Sequence, residues 1–180
     1  MTETTPPQTI LIVDDTPANL GLIMEILERR KFNILIAQDG EEGLARAKFA
    51  QPDLILLDVM MPGINGFEVC RRLKQLPETQ HIPVIFMTSL TDSENKMSGF
   101  DAGAVDYVTK PLRIDEVLAR IGIHLKLQAM QKQLTEQNSQ LQRYQKDLEQ
   151  LVQERTAELK QANHQYSSAQ LLLNKKGVYC

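Results

Sequence analysis

The feature that most constrains the fold of this chain is a set of five short apolar runs separated by segments with helical spacing. The runs are Ile10–Val13, Ile34–Ala37, Leu54–Leu57, Val84–Met87 and Val105–Val108. Between them apolar residues recur at intervals of three and four, as in Leu20, Ile23, Met24 and Leu27, which is the pattern of an amphipathic helix. Alternating strands and helices of this kind predict a parallel sheet covered by helices on both faces.

Polar residues that can carry chemistry follow four of the five runs. They are Asp14 and Asp15, Asp58, Thr88 and Ser89, and Thr109 and Lys110. In an open parallel sheet, ligands bind in the crevice outside the carboxyl ends of the strands. Because all these residues come at carboxyl ends, we expect them to gather at one edge of the sheet and to form a site there.

The residue types at this edge suit one kind of chemistry. Carboxylates at Asp14, Asp15 and Asp58 repel one another at short range, so they need a cation, and such hard oxygen ligands suit Mg²⁺. Lys110 adds a positive charge and Thr88 a hydroxyl donor for the oxygens of an anion. The set predicts a phosphoryl-transfer site in which Asp58, already ionised at neutral pH, is the nucleophile and forms an aspartyl phosphate.

Four segments of the sequence resemble a known family in their order and spacing. They are ILIVDD at 10–15, LLDVMMPGINGFEV at 56–69, VIFMTS at 84–89 and GAVDYVTKP at 103–111. Together they look like the receiver domain of two-component response regulators. The resemblance implies an α/β, flavodoxin-like (βα)5 fold, in which a doubly wound parallel sheet has the strand order 2-1-3-4-5. It also implies a signalling phosphoprotein rather than an enzyme, with slow self-dephosphorylation at most.

The resemblance implies a role for each acidic residue at this edge. Asp58 would be the phosphoacceptor, which takes a phosphoryl group from a sensor histidine kinase or a phosphotransfer protein. Asp14 and Asp15 would form the Mg²⁺ pocket with Asp58, with Asp15 as a direct ligand. Met60 would add its backbone carbonyl to the metal site.

The resemblance also implies which residues respond to the phosphoryl group. Thr88 and Lys110 would contact its oxygens, and the bond from Lys110 to Pro111 would be cis. Tyr107 would be the switch aromatic, which turns inward when Thr88 moves toward the phosphate. These movements would shift the face formed by the fourth helix, the fifth strand and the fifth helix.

The last third of the sequence has a different pattern. After a stripe at Ile114, Val117, Leu118, Ile121 and Leu125 that predicts the fifth helix, a second stripe with alternating 3–4 spacing begins. Its members are Leu127, Met130, Leu134, Gln137, Leu141, Tyr144, Leu148, Leu151 and Arg155. About four heptads of this kind predict a coiled coil. The later apolar residues Leu159, Ala162 and Tyr166 fit better if four residues are inserted, which would locally relax the supercoil.

These patterns divide the sequence into four parts. We expect a flexible tail at 1–8, a receiver domain at 9–125, a coiled-coil helix at 126–173 continuous with the last receiver helix, and a tail at 174–180. Because a lone helix cannot bury its apolar stripe, we expect a partner, most simply a second copy in a parallel homodimer. Nothing recognisable as an output module follows the helix, so the downstream protein target is unknown. The chain could instead be a fragment of a longer hybrid kinase, cyclase or phosphatase.

Composition narrows the possible partners and location. Residues 1–125 carry 12 basic and 18 acidic side chains, net −6, and residues 126–180 carry 8 and 5, net +3. Neither part has the dense basic stripe of a nucleic-acid binder, so no direct nucleic-acid binding is expected. Two cysteines without ligand spacing favour a reducing, cytoplasmic compartment, and no apolar run is long enough to span a membrane.

Other interpretations of the same residues stay open. The chain could be a phosphorylation-independent dimeric scaffold that keeps the receiver fold. An aspartate-based phosphohydrolase also uses a carboxylate after an apolar strand, but it usually needs a second acid two residues later, where this chain has Met60. Asp15 could simply start the first helix, whose first turn contains Pro17.

Overall fold

A computed structural model describes residues 7–89 and 101–176. Five parallel strands form one sheet with the order β2-β1-β3-β4-β5. The strands are β1 Thr9–Val13, β2 Asn33–Ala37, β3 Leu54–Asp58, β4 Val84–Thr88 and β5 Asp106–Thr109. This order confirms the flavodoxin-like sheet that the resemblance implied.

The numbered helices lie between consecutive strands on the two faces of this sheet. They are α1 Pro17–Arg29, α2 Gly40–Ala50 and α3 Gly66–Gln75, and a long helix, Ile114–Lys176, follows β5. The predicted fourth helix would fall within residues 90–100 and lies outside the described residues. The tail expected at 1–8 is described only at Pro7 and Gln8, which precede β1.

The continuous apolar runs are explained by burial of the strands on both faces. Leu11 and Val13 pack in one core cluster with residues of α2 and α3, such as Ala47 and Val69. Alternate residues of the same strand, Ile10 and Ile12, pack in a second cluster with residues of α1 and of the long helix. Since successive side chains of a strand point to opposite faces, a strand covered on both sides has no polar alternation.

Short polar residues set where two of the helices begin. The Asp39 side chain accepts a hydrogen bond from the backbone N–H of Glu42, 2.8 Å away, at the start of α2. Asn65 accepts one from the N–H of Glu68, 2.9 Å away, at the start of α3. Each side chain satisfies a backbone donor that has no partner within its helix.

The boundaries of two elements differ from the sequence patterns. The fifth strand begins at Asp106 rather than at Val105, which is 39% exposed although its N–H donates to the carbonyl of Val84. The apolar run marked the strand by hydrophobicity, but Val105 lies at its rim. The long helix continues to Lys176, so residues 174–176, expected in the tail, are helical.

The chain divides into two compact units, Met1–Ala129 and Met130–Cys180. In the first unit, the long helix packs on the sheet through Val117, Ile121 and Leu125, each at most 4% exposed. In the second unit, the stripe is exposed, from 51% at Leu151 to 71% at Leu159. None of the helices within residues 7–89 and 101–176 combines the length and apolar character needed to cross a lipid bilayer.

The packing of the long helix on the sheet predicts the effect of Ile121→Ala. Ile121 is fully buried, so truncation should lower the free energy of unfolding by about 2–5 kcal/mol, through lost burial and the cavity left behind. The measurement is urea unfolding of the full chain followed by circular dichroism. Ile123→Ala is the matched control, because Ile123 is 57% exposed on the same helix and should change stability by no more than about 0.5 kcal/mol. Equal losses in the two variants would contradict the described packing.

Candidate functional site

The candidate site lies at the carboxyl ends of the two central strands. Asp58 is the last residue of β3 and is 4% exposed, while Asp14 follows β1 directly and is fully buried. The two strands are neighbours, with Val13 beside Leu57 in the register, so their acids are brought together. Carboxylate oxygens of Asp14, Asp15 and Asp58 lie within 4.8 Å of one another, and Asp15 is exposed.

Lys110 joins two of these acids from the edge of the sheet. Its Nζ lies 2.7 Å from Oδ2 of Asp58 and 2.9 Å from Oδ2 of Asp14. Lys110 follows β5, and its backbone N–H donates to the carbonyl of Thr88, 2.8 Å away. The peptide bond that follows, to Pro111, is cis. The fold therefore gathers groups that are 52 and 96 residues apart in the sequence.

Backbone donors hold the other oxygens of the two buried acids. Oδ1 of Asp58 accepts a hydrogen bond from the N–H of Met60, 3.2 Å away. Oδ1 of Asp14 accepts one from the N–H of Thr16, 2.8 Å away. Both donors lie in the loop just after the strand that carries the acid, so each carboxylate is oriented by its own loop.

Burial and the neighbouring charges shift the pKa values of Asp58 and Lys110. Burial raises the pKa of Asp58 above its ordinary value, and the contact with Lys110 offsets this only in part. Burial acts to lower the pKa of Lys110, but hydrogen bonds and charge from Asp58 and Asp14 outweigh it, so that pKa is raised. Lys110 is therefore held as an ammonium. A cation beside Asp58 favours the ionised form of this buried acid.

The donor set of this cluster fits Mg²⁺. Three carboxylates from two adjacent loops offer hard oxygen ligands on one side of the site, and Mg²⁺ uses one or two such groups and keeps several waters. The exposed Asp15 lies on the solvent side of the cluster, where a hydrated ion can approach. Among the described residues no histidine or cysteine joins the cluster, which suits a hard cation.

Thr88 lies on β4, the strand next to that of Asp58, and Tyr107 lies on β5, the strand beyond it. Thr88 is the last residue of β4 and is 6% exposed, and Met87 before it pairs with Asp58 in the register. Tyr107 is half-buried on β5 beside Phe86 of β4. The structure thus places the hydroxyl of Thr88 at the same end of the sheet as Asp58, with the tyrosine one strand farther along.

A charged network between β5 and the long helix was missed by the sequence patterns. Asp106 accepts from Arg120 at 2.6 Å and contacts Nε2 of His124 at 3.0 Å, while Arg120 also contacts Glu116 at 2.9 Å. The guanidinium carbon of Arg120 lies 5.9 Å from the ring centroid of Tyr107. Burial acts to raise the pKa of Asp106, but Arg120 and His124 outweigh it and lower that pKa. The four-residue spacing of Glu116, Arg120 and His124 was the available signal, but it does not indicate a partner on β5.

Gly66 is a second residue whose importance the sequence did not show. Its N–H donates to the carbonyl of Val59, 3.0 Å away, and it lies against the backbone of Asp58 and Val59. A methyl group at this position would overlap the carbonyl oxygen of Asp58 and come within 2.9 Å of Cα of Val59. Glycine is required here by close approach of two backbone segments rather than by a special φ angle.

The comparisons with known proteins agree with this fold. The profile of the response regulator receiver domain matches residues 10–122. The chain therefore belongs to the response regulator receiver family, as its four motifs implied. A solved CheY-like receiver domain protein from Methanospirillum hungatei is 30% identical, with a TM-score of 0.65 over 69% of this chain and 98% of that one.

Curated relatives share the same part of the chain. The DNA-binding dual master transcriptional regulator RpaA of Synechocystis is 46% identical over 112 residues, which are 62% of this chain and 46% of that protein. Response regulator PleD of Caulobacter vibrioides is 47% identical over 109 residues, 61% of this chain and 24% of that protein. This chain thus matches less than half the length of either relative, and their names describe those longer proteins.

The close approach at Gly66 predicts that Gly66→Ala distorts the loop after β3. We expect a loss of about 1–3 kcal/mol in the free energy of unfolding, because the neighbouring atoms are backbone and cannot turn aside. Gly21→Ala in α1 is the control: beyond its own helical turn, no atom of the described residues lies within 4 Å of the added methyl group, and alanine favours a helix by about 1 kcal/mol over glycine. Urea unfolding of both variants checks this. Stabilisation of both would show that the loop tolerates a side chain.

The raised pKa of Asp58 predicts a pH-dependent effect of Asp58→Asn. Since the folded pKa lies above the unfolded one, ionised Asp58 destabilises the fold at neutral pH, and this cost disappears as the pH falls through the folded pKa toward the unfolded value. The asparagine variant should be more stable than wild type at pH 7, and the difference should shrink with acidification. Urea unfolding between pH 7 and pH 4 measures it, with Asp147→Asn on the exposed helix as control. A difference that grows on acidification would contradict the stated shift.

Proposed function

We propose that this chain is a response regulator that accepts a phosphoryl group on Asp58 from a phosphohistidine of a sensor histidine kinase or a phosphotransfer protein. The observation that carries the proposal is the contact between the buried Asp58 carboxylate and Lys110, 2.7 Å away, beside two further acids. This arrangement has a nucleophile, a cation for the incoming oxygens and ligands for a metal. The family of the chain and its four intact motifs support the same conclusion.

The proposed transfer is a simple displacement at phosphorus. An oxygen of the Asp58 carboxylate forms the new P–O bond as the P–N bond to the donor imidazole breaks. The bonding electrons leave with the imidazole nitrogen, and no general base is needed because the attacking carboxylate is already ionised. The product is an acyl phosphate on Asp58, and attack by water on its phosphorus slowly releases inorganic phosphate and restores the carboxylate. We assign no enzymatic activity beyond this self-dephosphorylation.

Residues around Asp58 stabilise the charge that arrives with the phosphoryl group. Lys110, which bridges Asp58 and Asp14, can move its ammonium onto a phosphoryl oxygen at a short distance. Thr88, at the end of β4, supplies a hydroxyl for a second oxygen. Asp14, Asp15 and Asp58 with the carbonyl of Met60 would hold Mg²⁺, which supplies charge neutralisation when bound.

The proposed signal leaves the site through β5. If Thr88 moves toward the phosphoryl group, Tyr107 can turn inward, and the ring of Tyr107 is the surface over which the guanidinium of Arg120 lies. Arg120 also pairs with Asp106 on the same strand, so a change at β5 alters two contacts of the long helix. We propose that this strand and helix, with the predicted fourth helix, form the output face.

The second unit has a proposed role as a homodimerising coiled coil, through which the signal reaches a downstream protein. Its apolar stripe is exposed and repeats over about four heptads, which supports pairing with another helix.

A phosphorylation-independent scaffold is the competing proposal, and oligomeric state with and without a phosphoryl mimic separates the two. Because the chain covers less than half of RpaA and of PleD, a larger output domain is a further proposal. The low cysteine content and the family favour action in the cytoplasm.

The proposed chemistry predicts the intact mass after incubation with acetyl phosphate and Mg²⁺. Wild type should gain one phosphoryl group, and Asp58→Asn should gain none, because the variant lacks the nucleophilic oxygen. Removing the metal with EDTA should abolish or strongly slow the gain in wild type. Asp53→Asn is the matched control. Asp53 directly precedes β3, away from the cluster, and accepts a hydrogen bond from the N–H of Thr9. This variant should be phosphorylated normally. Equal modification of Asp58→Asn and wild type would contradict the assignment of Asp58.

A further inference from the structure

The second unit has an apolar face but no neighbouring element within the described part of that unit. All residues from 129 to 170 are exposed. The apolar members of the stripe in this unit are Met130, Leu134, Leu141, Tyr144, Leu148, Leu151, Leu159 and Tyr166. Side chains of this size at heptad spacing are removed from water only when a second helix packs along them.

Two polar residues interrupt the stripe. In the heptad frame, written abcdefg, leucines 134, 141 and 148 occupy the a positions, and Gln137 and Arg155 occupy one d and one a position. Single polar residues in such a seam select the alignment in which their polar groups meet other polar groups. The alignment of a partner is therefore restricted by where Gln137 and Arg155 can be satisfied.

We propose that the partner is a second copy of this helix, aligned parallel and in register, with each Arg155 paired to Glu154 of the other copy. The inference rests on the homodimer of the proposed function and adds its orientation, its register and the residues that fix them. Glu154 is the g residue directly before Arg155, and in a parallel pair a g residue flanks the following a residue of the partner. Gln137 then lies opposite Gln137 of the other copy, and amide groups can donate to and accept from each other.

The flanking positions do not oppose pairing of two identical helices. From residue 131 to 145 the e and g positions hold only amides, namely Gln131, Gln133, Asn138, Gln140 and Gln145. Charge begins farther along, at Asp147 and Glu154, and Asp147 would flank Val152 of a parallel partner rather than another acid. Like charges therefore do not meet at these flanks, and the guanidinium of Arg155 has a carboxylate within the pair.

An antiparallel pair can also match the two polar layers, but at an electrostatic cost. It must place Gln137 opposite Arg155, which centres the pair near residue 146. In that alignment the two copies of Asp147 meet at the flank, and Arg155 faces an amide instead of a carboxylate. Arg155 would keep only contacts within its own helix, such as the one to Glu158 at 2.9 Å, which is largely exposed to solvent. The charges therefore favour the parallel alignment.

Reversible disulfide exchange tests the alignment. Leu141→Cys and Leu151→Cys chains, each carrying Cys180→Ser, are mixed in a glutathione redox buffer at a concentration where light scattering shows dimers, and both keep Gln137 and Arg155. Cys70 stays in place because it is buried. A parallel pair gives disulfides only between like positions, because residues 141 and 151 lie about 15 Å apart along the helices. The antiparallel alignment centred near residue 146 places residue 141 opposite residue 151 of the other copy. Ser139→Cys, at an f position facing away from the seam, is the control and should form no preferred disulfide.

The outcomes separate the alignment from the rest of the proposed function. Like-position disulfides with dimers in solution support the inference. Dimers that give only the mixed 141–151 disulfide overturn the parallel alignment and leave the homodimer standing. A chain that stays monomeric at every concentration overturns the inference together with the homodimer. In either case phosphorylation of Asp58 is read separately from the intact mass, so failure of the receiver chemistry is distinguishable.

A double-mutant cycle tests the pairing of Arg155 with Glu154 itself. Adjacent residues of one helix do not face each other, so any coupling between positions 154 and 155 reports a contact across the pair. Glu154→Gln removes both symmetric copies of the ion pair and should raise the dimer Kd about two- to thirtyfold in the wild-type background, because an exposed ion pair contributes about 0.2–1 kcal/mol. The same change in an Arg155→Gln background should leave Kd unchanged. Equal effects of Glu154→Gln in the two backgrounds, measured by sedimentation, would overturn the pairing.

Discussion

The rest of this site depends on the ion pairs that the Lys110 ammonium makes with the carboxylates of Asp58 and Asp14. Two acids buried at the end of adjacent strands are costly without a cation, because desolvation and mutual repulsion both oppose their ionisation. Lys110 supplies that cation at 2.7 and 2.9 Å, and the acids in turn raise its pKa against burial. The same arrangement favours the proposed reaction, because an arriving phosphoryl group brings negative charge to a place where the Lys110 ammonium already lies.

The backbone around Asp58 is as closely defined as its charges. Asp58 ends a strand that is buried on both faces, and Gly66 at the start of α3 returns the chain so closely that its N–H reaches the carbonyl of Val59. Asn65 caps α3 one residue earlier. A strand end, a helix cap and a glycine thus fix the loop after Asp58 by packing and hydrogen bonding. The exposed side of the site, at Asp15, is left for ligands.

The contacts of β5 connect this site to the long helix. Asp106 and Tyr107 are neighbours on the strand, and both contact Arg120 of the helix, one through an ion pair and one through the face of a ring. Because Arg120 contacts two adjacent residues of β5, a small movement of this strand changes both contacts of the long helix at once. This is a local basis for the proposed output and needs no large rearrangement of the sheet.

The sequence by itself determined the sheet, the described helices between its strands and the polar residues at the carboxyl ends of those strands. Strands buried on both faces must be continuously apolar, and polar residues at their carboxyl ends must meet, so ILIVDD and LLDVMMP carried both the fold and the candidate acids. The family match agrees with that interpretation, while the roles of the residues remain proposals. Sequence patterns placed the start of the fifth strand one residue early, because hydrophobicity does not indicate at which residue the strand pairing begins.

Only the tertiary structure decided which oxygens Lys110 contacts, that Gly66 lies against the backbone of Asp58, and that Arg120 reaches across to Asp106 and Tyr107. Periodicity records which face of an element is buried, but it does not record which distant residue meets that face. These contacts join residues far apart in the sequence, and their distances depend on how the strands and helices pack. For that reason the chemistry of the site could be predicted from residue types, whereas its geometry and its link to the long helix could not.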